Sequence, residues 1–166
     1  MDRRNSSNKA SLRHQVAAGR YVLLALTGLT LINLLFLVLK VEYHFLLSAA
    51  VPYYVNWLAV KLAWPAGWSV VMTLLSLILV GFYGVCWVLS QRQRIWWAAA
   101  MAAYLLDTLL LIIFAATLLK NPASCVLEIL VHVGVAYLLF VADQATGALQ
   151  RLRQRRRMAQ KERERV

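Results

Sequence analysis

Four apolar runs, each long enough to cross a bilayer, constrain this chain more than any other feature. They cover residues 21–39, 70–89, 95–119 and 123–142. A helix that crosses the hydrocarbon core needs about 20 mainly apolar residues. The composition agrees, because only 15% of the residues are charged, against about 25% in a typical soluble domain. The sequence therefore predicts an all-α membrane protein built as a bundle of four transmembrane helices.

Basic residues are divided unevenly between the segments that join these runs. Of the 18 Lys and Arg residues, 15 lie in residues 1–20, the 90–94 turn and residues 143–166, and three lie in segments 40–69 and 120–122. Short cytoplasmic segments carry the excess of positive charge in membrane proteins. Both termini are therefore predicted to be cytoplasmic, as an even number of spans requires.

This pattern predicts three regions along the chain. A basic cytoplasmic segment, residues 1–20, precedes a four-span membrane domain, residues 21–142, and residues 143–166 form a basic cytoplasmic tail. The first run, 19 residues long, exceeds the apolar core of an ordinary signal peptide, so we expect a retained anchor. The short connections are typical of a multi-pass protein of a bacterial plasma membrane.

The outer segment, residues 40–69, mixes aromatic and polar side chains. Pro52 suits the first turn of a helix, and a short interfacial helix is predicted over 52–63. Asn56 and Lys61 would then face water or headgroups. A re-entrant segment at 45–51 is the alternative. Tyr and Trp rings gather at the headgroup level, and the rings expected to anchor the protein there are Tyr53, Tyr54, Trp57, Trp64, Trp68, Trp96 and Trp97.

Three ionisable residues interrupt the third and fourth apolar runs: Asp107, Glu128 and His132. A charge at the centre of a membrane helix costs roughly 2.5–3.5 kcal/mol on insertion scales, so these side chains should face the interior of the bundle. Counted along two antiparallel helices, Asp107 and His132 lie within about one turn in depth. We expect them to pair, with Glu128 and Asn33 nearer the outer face. These four residues are called the polar cluster.

The polar cluster has three interpretations. It can be a structural clasp that fixes the register of the helices, since polar contacts hold membrane helices together. It can be a cation site or proton relay of a small transporter or channel component. It can also be a metal or hydrolytic site with Cys125, although the zinc motif H-E-x-x-H is absent. The first interpretation is favoured, and with it a non-enzymatic structural or interaction subunit that needs no cofactor.

Two features of the sequence, the basic tail and the helix faces with small residues, indicate what the protein binds. Phosphate-binding glycine motifs are absent, and the basic residues lie next to the spans, which argues against nucleic acid. Attraction to anionic lipid headgroups explains them, and the expected contacts are Arg151, Arg153, Arg155, Arg156 and Arg157. Gly81 and Gly84 are expected to allow close helix approach, so a second copy or another membrane protein is a further candidate partner.

Overall fold

A computed structural model describes residues 2–41, 43, 45–63, 65–118 and 126–163. Within these ranges the chain contains five helices and no strands: α1 Asp2–Val38, α2 Ala50–Lys61, α3 Ala66–Leu89, α4 Ile95–Leu118 and α5 Val126–Arg163. Four of them, α1, α3, α4 and α5, are long and apolar enough to cross a membrane. The prediction of an all-α chain with four candidate spans is confirmed to this extent.

The outer surface of the bundle is apolar, and several polar side chains are buried inside it. Leu35, Ile78, Leu106 and Leu130 are more than half exposed on its outer surface, whereas Thr30 is completely buried. A soluble domain would show the reverse, because exposed apolar area in water is unfavourable. The distribution is that of a protein whose outer surface faces lipid.

Helices α1 and α5 are much longer than a membrane span. They contain 37 and 38 residues, and each is therefore about 55 Å long, against a hydrocarbon core of about 30 Å. From the sequence, residues 1–20 and 143–166 are predicted as basic segments outside the spans. The described parts of both continue the spans as uninterrupted helix, since no proline interrupts either one.

The spans pack around a core of large side chains, with α1 against α5 as the most extensive pairing. Trp97, Tyr83 and Tyr104 are the largest completely or almost completely buried side chains. Helices α1 and α5 approach closely at Gly19, where a Cβ atom would overlap the Cβ of Ala142. The predicted close approach at Gly81 is wrong, because nothing lies within 4 Å of a Cβ placed there.

Helix α1 ends in a left-handed turn that reverses the chain. Lys40 has φ of 58°, and the amide of Val41 donates to the carbonyl of Phe36 at 2.8 Å. This is a Schellman motif, which usually places glycine at the left-handed position. The reversal sends the following residues back toward the interior of the bundle, where α2 begins.

Candidate functional site: the buried start of helix α2

Helix α2 begins inside the bundle rather than at its surface. Its N-cap, Ala49, is completely buried and offers no side-chain oxygen for capping. The predicted helix, 52–63, starts two residues too late and ends two residues too late. The sequence gives no reason to begin a helix at Ala50, because the capping groups come from other helices.

The first-turn amides of α2 are all accounted for. Four N–H groups at a helix start lack partners within the helix. The amide of Ala49 donates to Thr30 Oγ1 at 2.8 Å. The amides of Ala50 and Val51 donate to Asp107 Oδ2 at 2.8 Å and Oδ1 at 2.9 Å. The fourth position is Pro52, which has no N–H.

Asp107 therefore caps α2 from a different helix. It lies 12 residues into α4, or about 18 Å along the helix axis, near the middle of that span. A carboxylate at a helix N-terminus is also favoured by the helix dipole. The backbone amides and the dipole together offset the cost of burying Asp107, which is 5% exposed.

Helix α3 contacts α2 from its first turn onward, since Ser76 Oγ lies 3.3 Å from the carbonyl oxygen of Pro52. Asn56 Nδ2 donates to Ser76 Oγ at 2.7 Å, and Thr73 Oγ1 donates to Asn56 Oδ1 at 2.8 Å. Ser76 lies about 15 Å along α3 from Ala66 and Thr73 about 10 Å. The predicted orientation of Asn56 toward water or headgroups is therefore wrong. It is 7% exposed and binds α3, because a buried amide needs hydrogen-bond partners.

Asn33 holds the segment that leads into α2. Its Oδ1 accepts from the amide of Phe45 at 2.7 Å, and its Nδ2 donates to the carbonyl of Phe45 at 2.9 Å and to Ser48 Oγ at 2.8 Å. Ser48 Oγ in turn donates to the carbonyl of Phe45. Asn33 thus binds the entry segment, while Asp107 binds the helix that follows it.

His132 contacts Asp107 directly. Its Nε2 lies 3.2 Å from Asp107 Oδ2, and its Nδ1 lies 2.9 Å from the backbone carbonyl of Glu128. The ring stacks on Tyr104, with centroids 4.9 Å apart and planes 11° from parallel. His132 is completely buried, so these contacts fix its orientation.

The contacts of His132 require a proton between the imidazole and the carboxylate. A carbonyl oxygen only accepts, so Nδ1 must donate to Glu128. A neutral ring would then present the lone pair of Nε2 to Asp107, and an ionised carboxylate also only accepts. An imidazolium, which donates from both nitrogens, satisfies both contacts.

Glu128 binds a residue of α2 rather than Asp107. Its Oε2 accepts from the hydroxyl of Tyr54 at 2.9 Å, and it is 3% exposed. Through Tyr54, α5 contacts α2 in the turn that follows Pro52. Three of the four residues of the polar cluster thus form direct contacts, Asp107 with His132 and His132 with the Glu128 backbone, while Asn33 acts on the preceding segment.

The predicted anchor rings have different environments. Tyr53, Tyr54, Trp57 and Trp96 are half-buried, Trp68 is exposed, and Trp64 lies outside the described residues. Trp97 requires a correction, because it is 0% exposed and packs against the position of Gly19. A headgroup anchor would keep part of its ring at the surface, whereas Trp97 lies in the core.

At the opposite end of the bundle, Arg94 joins the α3–α4 turn to α5. Its Nε and Nη2 atoms donate to the Asp143 carboxylate at 2.8 and 2.5 Å, and the hydrogen bond to Asp143 raises the pKa of Arg94. Beyond this pair, α5 exposes the side chains of Arg151, Arg153, Arg155 and Arg157. The side chain of Arg156 is not among those that the structure describes.

Metal binding receives no support from the residues that can be described. Among them, no group of three or more His, Cys, Asp and Glu side chains is arranged to hold an ion. Cys125, part of the metal hypothesis, lies outside the described residues. Four buried atoms lack a hydrogen-bond partner in the described part: the hydroxyls of Tyr83 and Tyr104, Trp97 Nε1 and Arg20 Nε.

Comparison with known proteins adds nothing to this geometry. No protein-family model matches the chain, and neither a curated protein nor a solved structure is significantly similar to it. Any functional conclusion therefore depends on the contacts described above.

Proposed function

We propose that this chain is a non-enzymatic multi-pass membrane protein, a structural or interaction subunit whose polar cluster fixes α2 within the bundle. The observation that carries the proposal is the complete pairing of the first-turn amides of α2 by Thr30 and Asp107. An ionised carboxylate has about four acceptor positions. The two amides and His132 occupy three of them, which leaves Asp107 little capacity to bind a substrate.

We further propose that residues 45–61 form a re-entrant element rather than an interfacial helix. Support comes from two depths, about 18 Å along α4 at Asp107 and about 15 Å along α3 at Ser76. Helix α2 has 12 residues, or about 18 Å, which matches the distance from the middle of the hydrocarbon core to its surface. Backbone that is not helical is tolerated at such depth only when it is buried in protein, as Ser48 and Ala49 are.

The proposed setting is a bacterial plasma membrane with both termini in the cytoplasm. The distribution of basic residues supports this orientation. It is also consistent with the Arg94–Asp143 pair, which joins the turn after α3 to the part of α5 that precedes the basic tail. Contact of anionic headgroups with Arg151, Arg153, Arg155, Arg156 and Arg157 stays a prediction, and Arg92, which lies nearer this level, is a further candidate contact. We also propose that a second copy or another membrane protein covers part of the apolar surface.

A proton relay is the second candidate, because His132 Nε2 lies 3.2 Å from Asp107 Oδ2 and Glu128 lies one turn away on α5. Purified protein in liposomes under a pH gradient distinguishes the two functions. A structural role predicts proton flux no greater than in empty liposomes, for the wild type and for Asp107→Asn. Flux that the wild type supports and that a folded Asp107→Asn variant loses would replace the structural proposal with the relay.

A further inference from the structure

Helices α1 and α5 form a stalk beyond the level of the Arg94–Asp143 pair. From Gly19, which touches Ala142, α1 extends about 26 Å to its first residue, and α5 extends about 30 Å from Asp143 to Arg163. At Gly19 the two helices approach closely, because a Cβ atom there would overlap the Cβ of Ala142. Farther along the stalk the side chains are larger, and a cleft opens between the helices.

This cleft has a volume of about 580 Å³ and two kinds of lining. Its charged residues are all basic, and its leucines supply an apolar surface between them. The lining residues are Asn8, Lys9, Leu12, Arg13, Ala148, Leu149, Arg151, Leu152, Arg153 and Arg155. We call it the basic cleft.

We propose that the basic cleft binds an acidic amphipathic helix of a partner protein. A helix fits because the cleft extends along about two turns of each stalk helix and combines an apolar surface with cationic edges. Leu152 is 39% exposed, although it lies between charged residues on a segment outside the spans. An apolar stripe with acidic flanks would cover Leu12 and Leu152 and place carboxylates beside Arg13 and Arg151.

The position of the cleft favours a protein over a lipid headgroup. Ala148 and Arg155 lie about 8 and 18 Å along α5 from Asp143. The headgroup region is only about 5–7 Å thick on each side of the hydrocarbon core. A second copy of the chain is a poor occupant, because its own stalk is equally basic. A phosphate-rich ligand would leave the leucines uncovered.

This inference specifies the partner of the proposed interaction role, and its test does not depend on the polar cluster. The full-length protein is placed in nanodiscs of phosphatidylcholine, which carries no net charge. The probe is a labelled synthetic peptide of about three heptads, with leucine at positions a and d and glutamate at e and g. Fluorescence anisotropy at physiological ionic strength measures its binding. A peptide of the same composition with scrambled leucine positions is the control.

We expect the amphipathic peptide to bind at least tenfold more tightly than the scrambled one. The double variant Arg13→Glu/Arg151→Glu should weaken binding by about tenfold or more, since it replaces two attractive pairs with repulsion. Leu152→Ser should also weaken it. Arg92→Glu changes the same charge at an exposed position away from the cleft and should leave binding within about twofold.

Three results would overturn the inference. If the scrambled peptide bound with equal affinity, binding would depend on net charge alone and not on an apolar stripe. An unchanged affinity in the double variant would place the peptide elsewhere. Binding of anionic vesicles or of a short RNA that the double variant abolishes, without binding of the amphipathic peptide, would assign the cleft to lipid or nucleic acid. Proton flux by the wild type would contradict the proposed structural role and leave these peptide results unaffected.

Discussion

Asp107 Oδ2 accepts a 2.8 Å hydrogen bond from the backbone amide of Ala50, which is 57 residues away in the chain. This bond joins the middle of one span to the first turn of a short helix. With the matching bond from Val51 to Oδ1, it makes a buried carboxylate of a candidate span the cap of a helix that has no capping side chain of its own.

The loss of stability on substituting Asp107 should therefore depend on how many hydrogen-bond acceptors the new side chain retains. Asp107→Asn keeps one carbonyl oxygen and should lower the free energy of unfolding by about 1–3 kcal/mol. Asp107→Ala leaves the buried amides of Ala50 and Val51 and Nε2 of His132 without a partner and should cost about 3–5 kcal/mol. Thermal or denaturant unfolding in detergent measures both. Equal effects of the two variants would argue against capping by this carboxylate.

The proton between His132 and Asp107 can be observed directly. Nitrogen NMR of labelled protein at neutral pH should find both ring nitrogens of His132 protonated, because each faces an oxygen acceptor. In Asp107→Asn the loss of the carboxylate should return the ring to the neutral form. A neutral His132 ring in the wild type would mean that the proton resides on Asp107 instead.

Gly19 and Gly81 form a matched pair for testing helix packing. A methyl group at Gly19 would overlap Ala142 and approach the Trp97 ring to about 3 Å, so Gly19→Ala should destabilise the bundle by about 1–3 kcal/mol. Nothing lies within 4 Å of a Cβ at Gly81. Gly81→Ala should be neutral or stabilising by up to about 1 kcal/mol through helix propensity. The unfolding midpoints of the two variants are measured in the same detergent. A lower midpoint for Gly81→Ala than for Gly19→Ala would contradict the α1–α5 packing.

Gly147 makes room for Arg94 beside α5. A Cβ at this position would lie 2.9 Å from Arg94 Nη1 and 3.1 Å from Cζ. Gly147→Ala should therefore displace the guanidinium from Asp143, with a loss of at most about 1 kcal/mol, because Arg94 is partly exposed and screened. Once Arg94→Gln has removed the pair, the added methyl should have no such effect. A double-mutant cycle measures this coupling.

The pH dependence of this pair follows from the raised pKa of Arg94. A group whose pKa is raised by folding contributes its full stability below the unfolded pKa and loses it only as pH rises through the folded value. The ordinary pKa of Arg already lies far above neutral pH. Because Arg94 stays protonated, its pair with Asp143 should cause no change in the unfolding midpoint of the protein between about pH 7 and 10. A fall within that range that Arg94→Gln abolishes would contradict this.

The spans could be predicted from sequence, whereas the start of α2 could not. Hydropathy and length identify a membrane helix locally: α4 begins at the predicted Ile95 and is helical as far as Leu118, the last described residue before the next helix. Depth counting along two antiparallel helices likewise anticipated that Asp107 and His132 are close. The cap of Ala50 comes from Asp107 and Thr30, so no local pattern around Ala49 could indicate it.

Other features were missed for the same reason. The burial of Trp97 depends on the absence of a side chain at Gly19, on a different helix. The inward orientation of Asn56 depends on Ser76 and Thr73 of α3. The aromatic composition of 40–69 suggested a headgroup location, but composition alone does not distinguish a ring at the membrane surface from a ring packed inside a bundle.

Hydrogen exchange of the Ala50 and Val51 amides tests most directly whether Asp107 caps α2 within the bundle. In the wild type both amides should exchange slowly, with protection close to that of the central residues of α4. In Asp107→Asn at least one should exchange faster, while amides in the middle of α3 remain protected. Rapid exchange of both amides in the wild type, or unchanged protection in Asp107→Asn, would contradict the proposed cap.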